Sequence, residues 1–348
     1  MSKVMTTNSD LRPTTRAVAV SRPHGRAVAS TGLVGALIES TKPRIVRLVV
    51  ITASVGLGLS ALSHGFRDSG LPGASLGWTD PSGLGLVRLI LITMIGTALS
   101  AAGANSINQW MERHRDALMP RTRRRPLPTG RAEPLQVLAF GIILSVLGVM
   151  TLLLLSTPLP ALLSATCILV YVLLYTPLKP VTPWATLVGT IPGALPPLIG
   201  WTAASNSPGV SALWESGGLA LFLLMTAWQM PHFMAIGWMY KDDYAMGGYR
   251  ILPVVDETGR KTARSIALWT LALFALSLLP AWMMPRWVGL PYVVVASAAG
   301  GVFVALALRL IRERTRENAR AVFFASIAHL PLILLAMVGE ALVRAIVR

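Results

Sequence analysis

Nine runs of this 348-residue chain are apolar and long enough to cross about 30 Å of hydrocarbon, and that leaves few folds open. They cover roughly 45–62, 84–107, 135–155, 159–178, 184–203, 216–238, 263–284, 287–308 and 322–345. Inside lipid every backbone N–H and C=O must find a partner within the protein, so runs of this length become helices. The expected fold class is an all-α polytopic membrane protein, with nine transmembrane helices around a central chamber. Only Ser156-Thr157-Pro158 separates the third and fourth runs, and Pro285-Arg286 the seventh and eighth, so both pairs should form antiparallel hairpins.

Composition agrees, because 53% hydrophobic and 13% charged residues do not suit a soluble globule. The net charge of +16 is concentrated in a few loops and has no interleaved aromatics, so it points to a membrane surface and not to nucleic acid. With the N-terminus in the cytoplasm, loops 108–134, 179–183, 239–262 and 309–321 share that side and hold most of the Lys and Arg outside the tail. The opposite loops contain only Arg67 and Arg286, although Arg344 and Arg348 at the C-terminus fall on the outside. Residues 1–38 read as a disordered basic tail, with an acid-poor composition that also fits a transit peptide, and 39–348 as the membrane domain. Cys167 is the single cysteine and lies within an apolar run, so no intrachain disulfide can form.

The densest chemistry lies at Asn108–Arg131, where Glu112, Asp116 and seven arginines fall within 24 residues. If the second helix continues into this stretch, Asn108, Glu112 and Asp116 recur at i, i+4 and i+8 and line one face, about 6 Å apart per step. Two carboxylates and an amide at that spacing offer hard oxygen ligands to a magnesium ion, and Arg121 and Arg125 stand ready for a phosphate. A second constellation ends the sixth run, where Trp228 and His232 precede Asp242 and Asp243 on the same side of the membrane. An ionisable residue within a span, such as His232, is a functional candidate; His329, without polar companions, reads as structural. The run Thr190–Trp201, with Pro192, Pro196 and Pro197, predicts either broken helix lining a chamber or close helix packing through small residues.

These residues together resemble the UbiA superfamily of intramembrane prenyltransferases, and within it the haem-farnesylating branch, over residues 39–340. The resemblance is carried by Thr41-Lys42-Pro43-Arg44; by the ladder Asn108, Glu112, Asp116 with Arg121-Thr122 and Arg125-Pro126; by Tyr175-Thr176-Pro177-Leu178-Lys179; by Gly193–Trp201; and by Trp228–Phe233 with Asp242-Asp243-Tyr244. It departs from the superfamily pattern at Trp238, where the second acidic motif has its first aspartate, and from the haem-farnesylating branch at Pro180 and Ala185.

The resemblance implies transfer of a farnesyl group from farnesyl diphosphate to a vinyl group of haem B, with Mg2+ as cofactor and a haem A synthase downstream. It implies an inner membrane, bacterial or mitochondrial, with the N-terminus in the cytoplasm. Asn108, Glu112, Asp116, Asp242 and Asp243 would hold metal, with Asp243 also among the catalytic group. Arg121, Arg125 and Lys179 would contact diphosphate, while His232, Trp228 and Tyr175 would orient the porphyrin. The other expectations are a related enzyme prenylating an aromatic or quinone precursor, and a non-catalytic haem transporter or assembly factor.

Overall fold

In the computed structural model the described residues are 32–64, 84–207 and 209–347. Helix α1 (Leu33–Ser40) is short and leads into α2 (Pro43–His64), α3 (Leu84–Leu118) and α4 (Pro134–Leu155). Then come α5 (Pro158–Leu169), a π-helical turn (Val170–Tyr175), α6 (Thr176–Leu178) and α7 (Ala185–Ala204). The second half comprises α8 (Ser216–Met239), the short α9 (Lys241–Met246) and α10 (Leu252–Val255), and the long α11 (Arg260–Met283), α12 (Leu290–Arg312) and α13 (Arg316–Val347). Among the described residues nine segments are long and apolar enough to span a membrane, counting α5, the π turn and α6 as one, and they match the nine apolar runs. The chain is a multi-pass membrane protein.

Two expectations change. The sequence predicts a tail reaching residue 38; residues 1–31 lie outside the described residues, as does Arg67. Its end is helix: Ala36 of α1 is fully buried with Val137 and Ala132, so an apolar face starts before residue 39. The proline-rich run, in turn, is not broken. Pro192, Pro196 and Pro197 lie inside the continuous α7, the most buried of the spans.

Close packing explains α7. A Cβ added at Gly56 of α2 would strike the Pro197 carbonyl, and one at Gly200 the Ala53 carbonyl, so two backbones meet where neither residue has a side chain. A proline frees the carbonyl four residues earlier, and here Cys167 Sγ lies 3.2 Å from the Pro192 carbonyl, which Pro196 leaves without its helical N–H. Helices α3 and α4 close in the same manner, through Gly96, Ser100 and Gly103 against Gly141, Ser145 and Gly148. That stripe sets one face of α3 tightly on α4 and leaves another for the ladder.

His329 sits in the α13 core, 3% exposed, with Phe303 at 5.6 Å and no hydrogen-bond partner for either ring nitrogen among the described residues. At the end opposite the ladder, Glu215 accepts bonds from Trp201 Nε1 at 2.5 Å and from Ser205, and it faces His64 Nε2 at 3.3 Å. Despite partial burial, these donors hold the Glu215 carboxyl down to about 2.

The α2–α7 contact gives a direct test. Gly200→Ala should lower the thermal midpoint of detergent-purified protein by the equivalent of about 1–3 kcal/mol or more, since backbone and not side chain must yield. Gly301→Ala on α12, where an added Cβ meets nothing within 4 Å, should change it by less than about 1 kcal/mol.

Candidate active site

Helix α3 does run on past the apolar stretch to Leu118, and it stacks Asn108, Glu112 and Asp116 on one buried face at 0%, 6% and 1% exposure. Each rung holds one cation. Lys42 Nζ donates to Asn108 Oδ1 at 2.6 Å, Lys179 Nζ to Glu112 Oε1 at 2.7 Å, and Arg125 Nη1 to Asp116 Oδ2 at 2.7 Å. The three cations come from three separate segments of the chain, and each is placed by a local irregularity.

Lys42 lies between α1 and α2 with φ 54°, the one non-glycine residue with positive φ among those described. Its carbonyl accepts the Ile45 and Val46 N–H groups, so it starts α2 in a conformation that a residue before proline rarely adopts. Strain of about 1–3 kcal/mol at such a position marks a side chain held to a purpose. Burial, and then the charge of Arg125, pull the Lys42 amine down to about 7.

Lys179 follows the π turn. Pro177 cannot donate to the preceding turn, and the chain accommodates it by widening, with Thr176 N–H bonding to Tyr171 C=O. The widened turn places Thr176 Oγ1 to accept from Asn108 Nδ2 at 2.9 Å, and Tyr175 with its ring 4.5 Å from Lys179 Nζ. Tyr171 stacks beside Tyr175, ring centres 5.5 Å apart. Burial works against the Lys179 charge, but the Glu112 carboxylate outweighs it and holds the lysine well above its usual value.

Arg125 is brought back by the turns of residues 119–131, in which Thr122 Oγ1 donates to the Asp116 carbonyl at 2.9 Å. A fourth group arrives from the loop after α9. Arg115 Nη1 donates to the Gly247 carbonyl at 2.8 Å, Gly248 takes φ +68°, and the turn sets the Tyr249 hydroxyl on Glu112. Burial, then Glu112, keep that phenol protonated and hence a donor.

What remains open is Asp116 Oδ1, buried and without a partner among the described residues. An orphaned carboxylate oxygen in line with Glu112 and Asn108 is the donor set of a hard cation, and the residues fit magnesium.

The structure separates other residues that the sequence grouped. Asp242 and Asp243 do not join Glu112 and Asp116: among the described residues no three Asp, Glu, His or Cys side chains lie close enough to hold a metal by themselves. The chain turns at Tyr240 into α9, leaving Asp242 exposed and Asp243 acting on Arg121, which lies over the Tyr240 and Tyr244 rings at 4.9 and 4.8 Å. Tyr175 belongs with Lys179 and not with the histidine. His232 is sandwiched between Trp228 (4.7 Å, 19°) and Phe323 (5.3 Å, 26°). Its Nδ1 meets Ser326 Oγ at 2.7 Å, and Trp228 Nε1 donates to the Ser326 carbonyl at 2.7 Å. Fixing one imidazole nitrogen in this manner sets the orientation of the ring.

Sequence reasoning missed Lys42, Thr176 and Tyr249 as site residues. The signals were a lysine at the membrane boundary before a proline, a threonine beside Pro177, and the glycine pair before Tyr249.

The model of the UbiA prenyltransferase family matches residues 69–329, and the chain belongs to that family. A curated relative, protoheme IX farnesyltransferase of Solibacter usitatus (strain Ellin6076), is 42% identical over 301 residues, 85% of this chain and 95% of the relative. Among solved structures, one of digeranylgeranylglyceryl phosphate synthase superposes with TM-score 0.68 at 18% identity, covering 88% of this chain and 98% of that one. A UbiA homologue from Archaeoglobus fulgidus bound to DMAPP and Mg2+ superposes at 0.53 with 11% identity, covering 86% and 98%. These two likenesses speak for the fold.

The pairing of rungs and cations is testable without substrate. Lys179→Met, which strands Glu112, should lower stability by about 3–5 kcal/mol, and adding Glu112→Gln should recover most of that loss in a thermal-shift assay. Equal midpoints for wild type and Lys179→Met would remove the pairing.

Proposed function

We propose that this chain transfers the farnesyl group of farnesyl diphosphate to a vinyl group of haem B, giving haem O. The observation that carries the reaction type is the buried ladder with one cation per rung, set in a UbiA fold. The choice of acceptor is supported by the 42% identity to a protoheme IX farnesyltransferase over nearly the whole of that relative. The ladder face is taken as cytoplasmic, because the basic loops share it. An inner membrane fits this orientation, and the farnesylated product calls for a haem A synthase downstream.

Asn108, Glu112 and Asp116 would hold Mg2+, which supplies a counter-charge for the diphosphate oxygens when bound. Lys42, Lys179 and Arg125, now on the rungs, lie within reach of the same diphosphate, and Arg121 adds a fourth cation. Asp243 positions Arg121. As the C–O bond of the allylic diphosphate breaks, pyrophosphate leaves with the bonding pair, and these cations are fixed where its negative charge grows. The Tyr175 ring lies under Lys179, with Tyr171 beside it, and these rings shield the allylic cation from early capture by water. The vinyl π electrons then attack that cation, and the new cation beside the porphyrin takes up water and loses a proton. His232, with Nδ1 tied to Ser326, offers Nε2 to the haem iron, and Trp228 holds the imidazole plane.

Glu112→Gln and Asp116→Asn should each lower transfer from farnesyl diphosphate to haem B by about a hundredfold or more, followed by mass spectrometry with and without magnesium. Wild-type turnover in either variant would remove the ladder from catalysis. His232→Ala should shift the Soret band of bound haem and weaken its binding while the affinity for farnesyl diphosphate stays unchanged; an unaltered spectrum excludes iron ligation.

A further inference from the structure

A cavity of about 460 Å³ opens on the ladder side, between the end of α8 and the start of α13. Arg316 and Arg320 line it, one helical turn apart and therefore on the same side of α13. Neither is ion-paired to an acid among the described residues; Arg320 instead lies over the Phe324 ring at 5.4 Å. Glu317 is the one acid in the lining, so the cavity keeps a positive balance. The remaining walls are Met239, Tyr240 and the phenyl rings.

Two wall residues connect this cavity to the groups already described. Tyr240 carries Arg121 on its ring, so the cavity begins one aromatic ring away from a cation assigned to the diphosphate. Phe323 stacks on His232, and His232 on Trp228, so a continuous stack of rings leads from the cavity to the imidazole. A site with two guanidinium forks at its rim, aromatic walls and a neighbouring imidazole matches a flat apolar ring system that bears carboxylates along one edge.

We propose that Arg316 and Arg320 bind the two propionate carboxylates of the acceptor porphyrin, and that this cavity thereby sets which edge of the macrocycle faces the allylic diphosphate. This rests on the haem reading above. It adds a specificity determinant on α13, a helix that contributes nothing to the ladder. Anchoring the carboxylate edge in the cavity leaves the vinyl-bearing part of the ring free to lie toward Arg121 and the ladder.

The test uses full-length protein in phosphatidylcholine nanodiscs, titrated with haem B and with its dimethyl ester, in wild type and in the double variant Arg316→Gln, Arg320→Gln. The double variant should raise the Kd for haem B about tenfold or more, while the ester binds equally weakly to both proteins. Arg316→Lys with Arg320→Lys should restore part of the affinity, and unchanged farnesyl diphosphate binding shows that the variant is folded. Equal haem B affinity in variant and wild type overturns the assignment. So does an equal loss for the ester, or a loss seen only when phosphatidylglycerol is included, which would make the arginines a lipid-headgroup site. If wild type farnesylates haem B and the double variant does so with the same KM, the cavity assignment alone falls. If wild type ignores haem B and prenylates a phenolic acceptor, the haem reading falls and takes the cavity with it.

Discussion

Two carboxylates on a buried helix face cannot stay ionised without counter-charges, and much of the ladder side of this protein is arranged to deliver them. At 2.7 Å and an effective dielectric near 20, the Lys179–Glu112 attraction is about 6 kcal/mol in gross terms. Taking the two ions out of water costs several kcal/mol each. The balance is close to zero, so the pairs hold the site together without locking it. A lysine or arginine held on those terms can be exchanged for another cation when a stronger anion arrives.

Irregular backbone places several of those counter-charges. Lys42 at positive φ, the π turn before Thr176 and the left-handed Gly248 each interrupt regular structure, and each carries a side chain, its own or a neighbour's, to the ladder. The opposite face of α3 is regular and glycine-lined where it meets α4. A rigid, close-packed seam on one side allows strain to be held on the other, and α7 against α2 plays the same part for the helices behind it.

This division explains what could be read from the sequence. The nine spans were legible because hydrocarbon demands long apolar helices, and the ladder because a helical period of about 3.6 puts Asn108, Glu112 and Asp116 on one face. Lys42 was seen only as part of a run leading into a helix, since its bond to Asn108 joins residues 66 apart and depends on one backbone angle. Tyr249 depends on how a glycine pair turns over Arg115, which no local pattern encodes. Asp242 and Asp243 were drawn to the ladder because they emerge on the same side, but sidedness fixes depth and not lateral position. The prolines of α7 leave broken helix and close packing both open, because either lets a span carry residues that a lipid-facing helix would not want; burial against α2 and a thiol beside the Pro192 carbonyl let the helix continue.

The charges themselves say what kind of ligand the proposed site is built to admit. Glu112 and Asp116 contribute two negative charges, matched by Lys179 and Arg125, while Lys42, drawn down to about 7, adds only part of a charge and Arg121 adds one more. The set therefore keeps between one and two net positive charges, and its field does not favour a bare divalent ion, which would have to displace Lys179 and Arg125 with nothing to receive them. A diphosphate changes that balance, because its oxygens can take over Lys42, Lys179 and Arg125 as the carboxylates turn to the metal. Arg125 is the best suited of the three, since a guanidinium can bridge Asp116 and a phosphate oxygen with separate N–H groups. On this reading metal and diphosphate are bound as one unit, and the orphaned Asp116 Oδ1 is the oxygen left unbonded for the moment when they arrive.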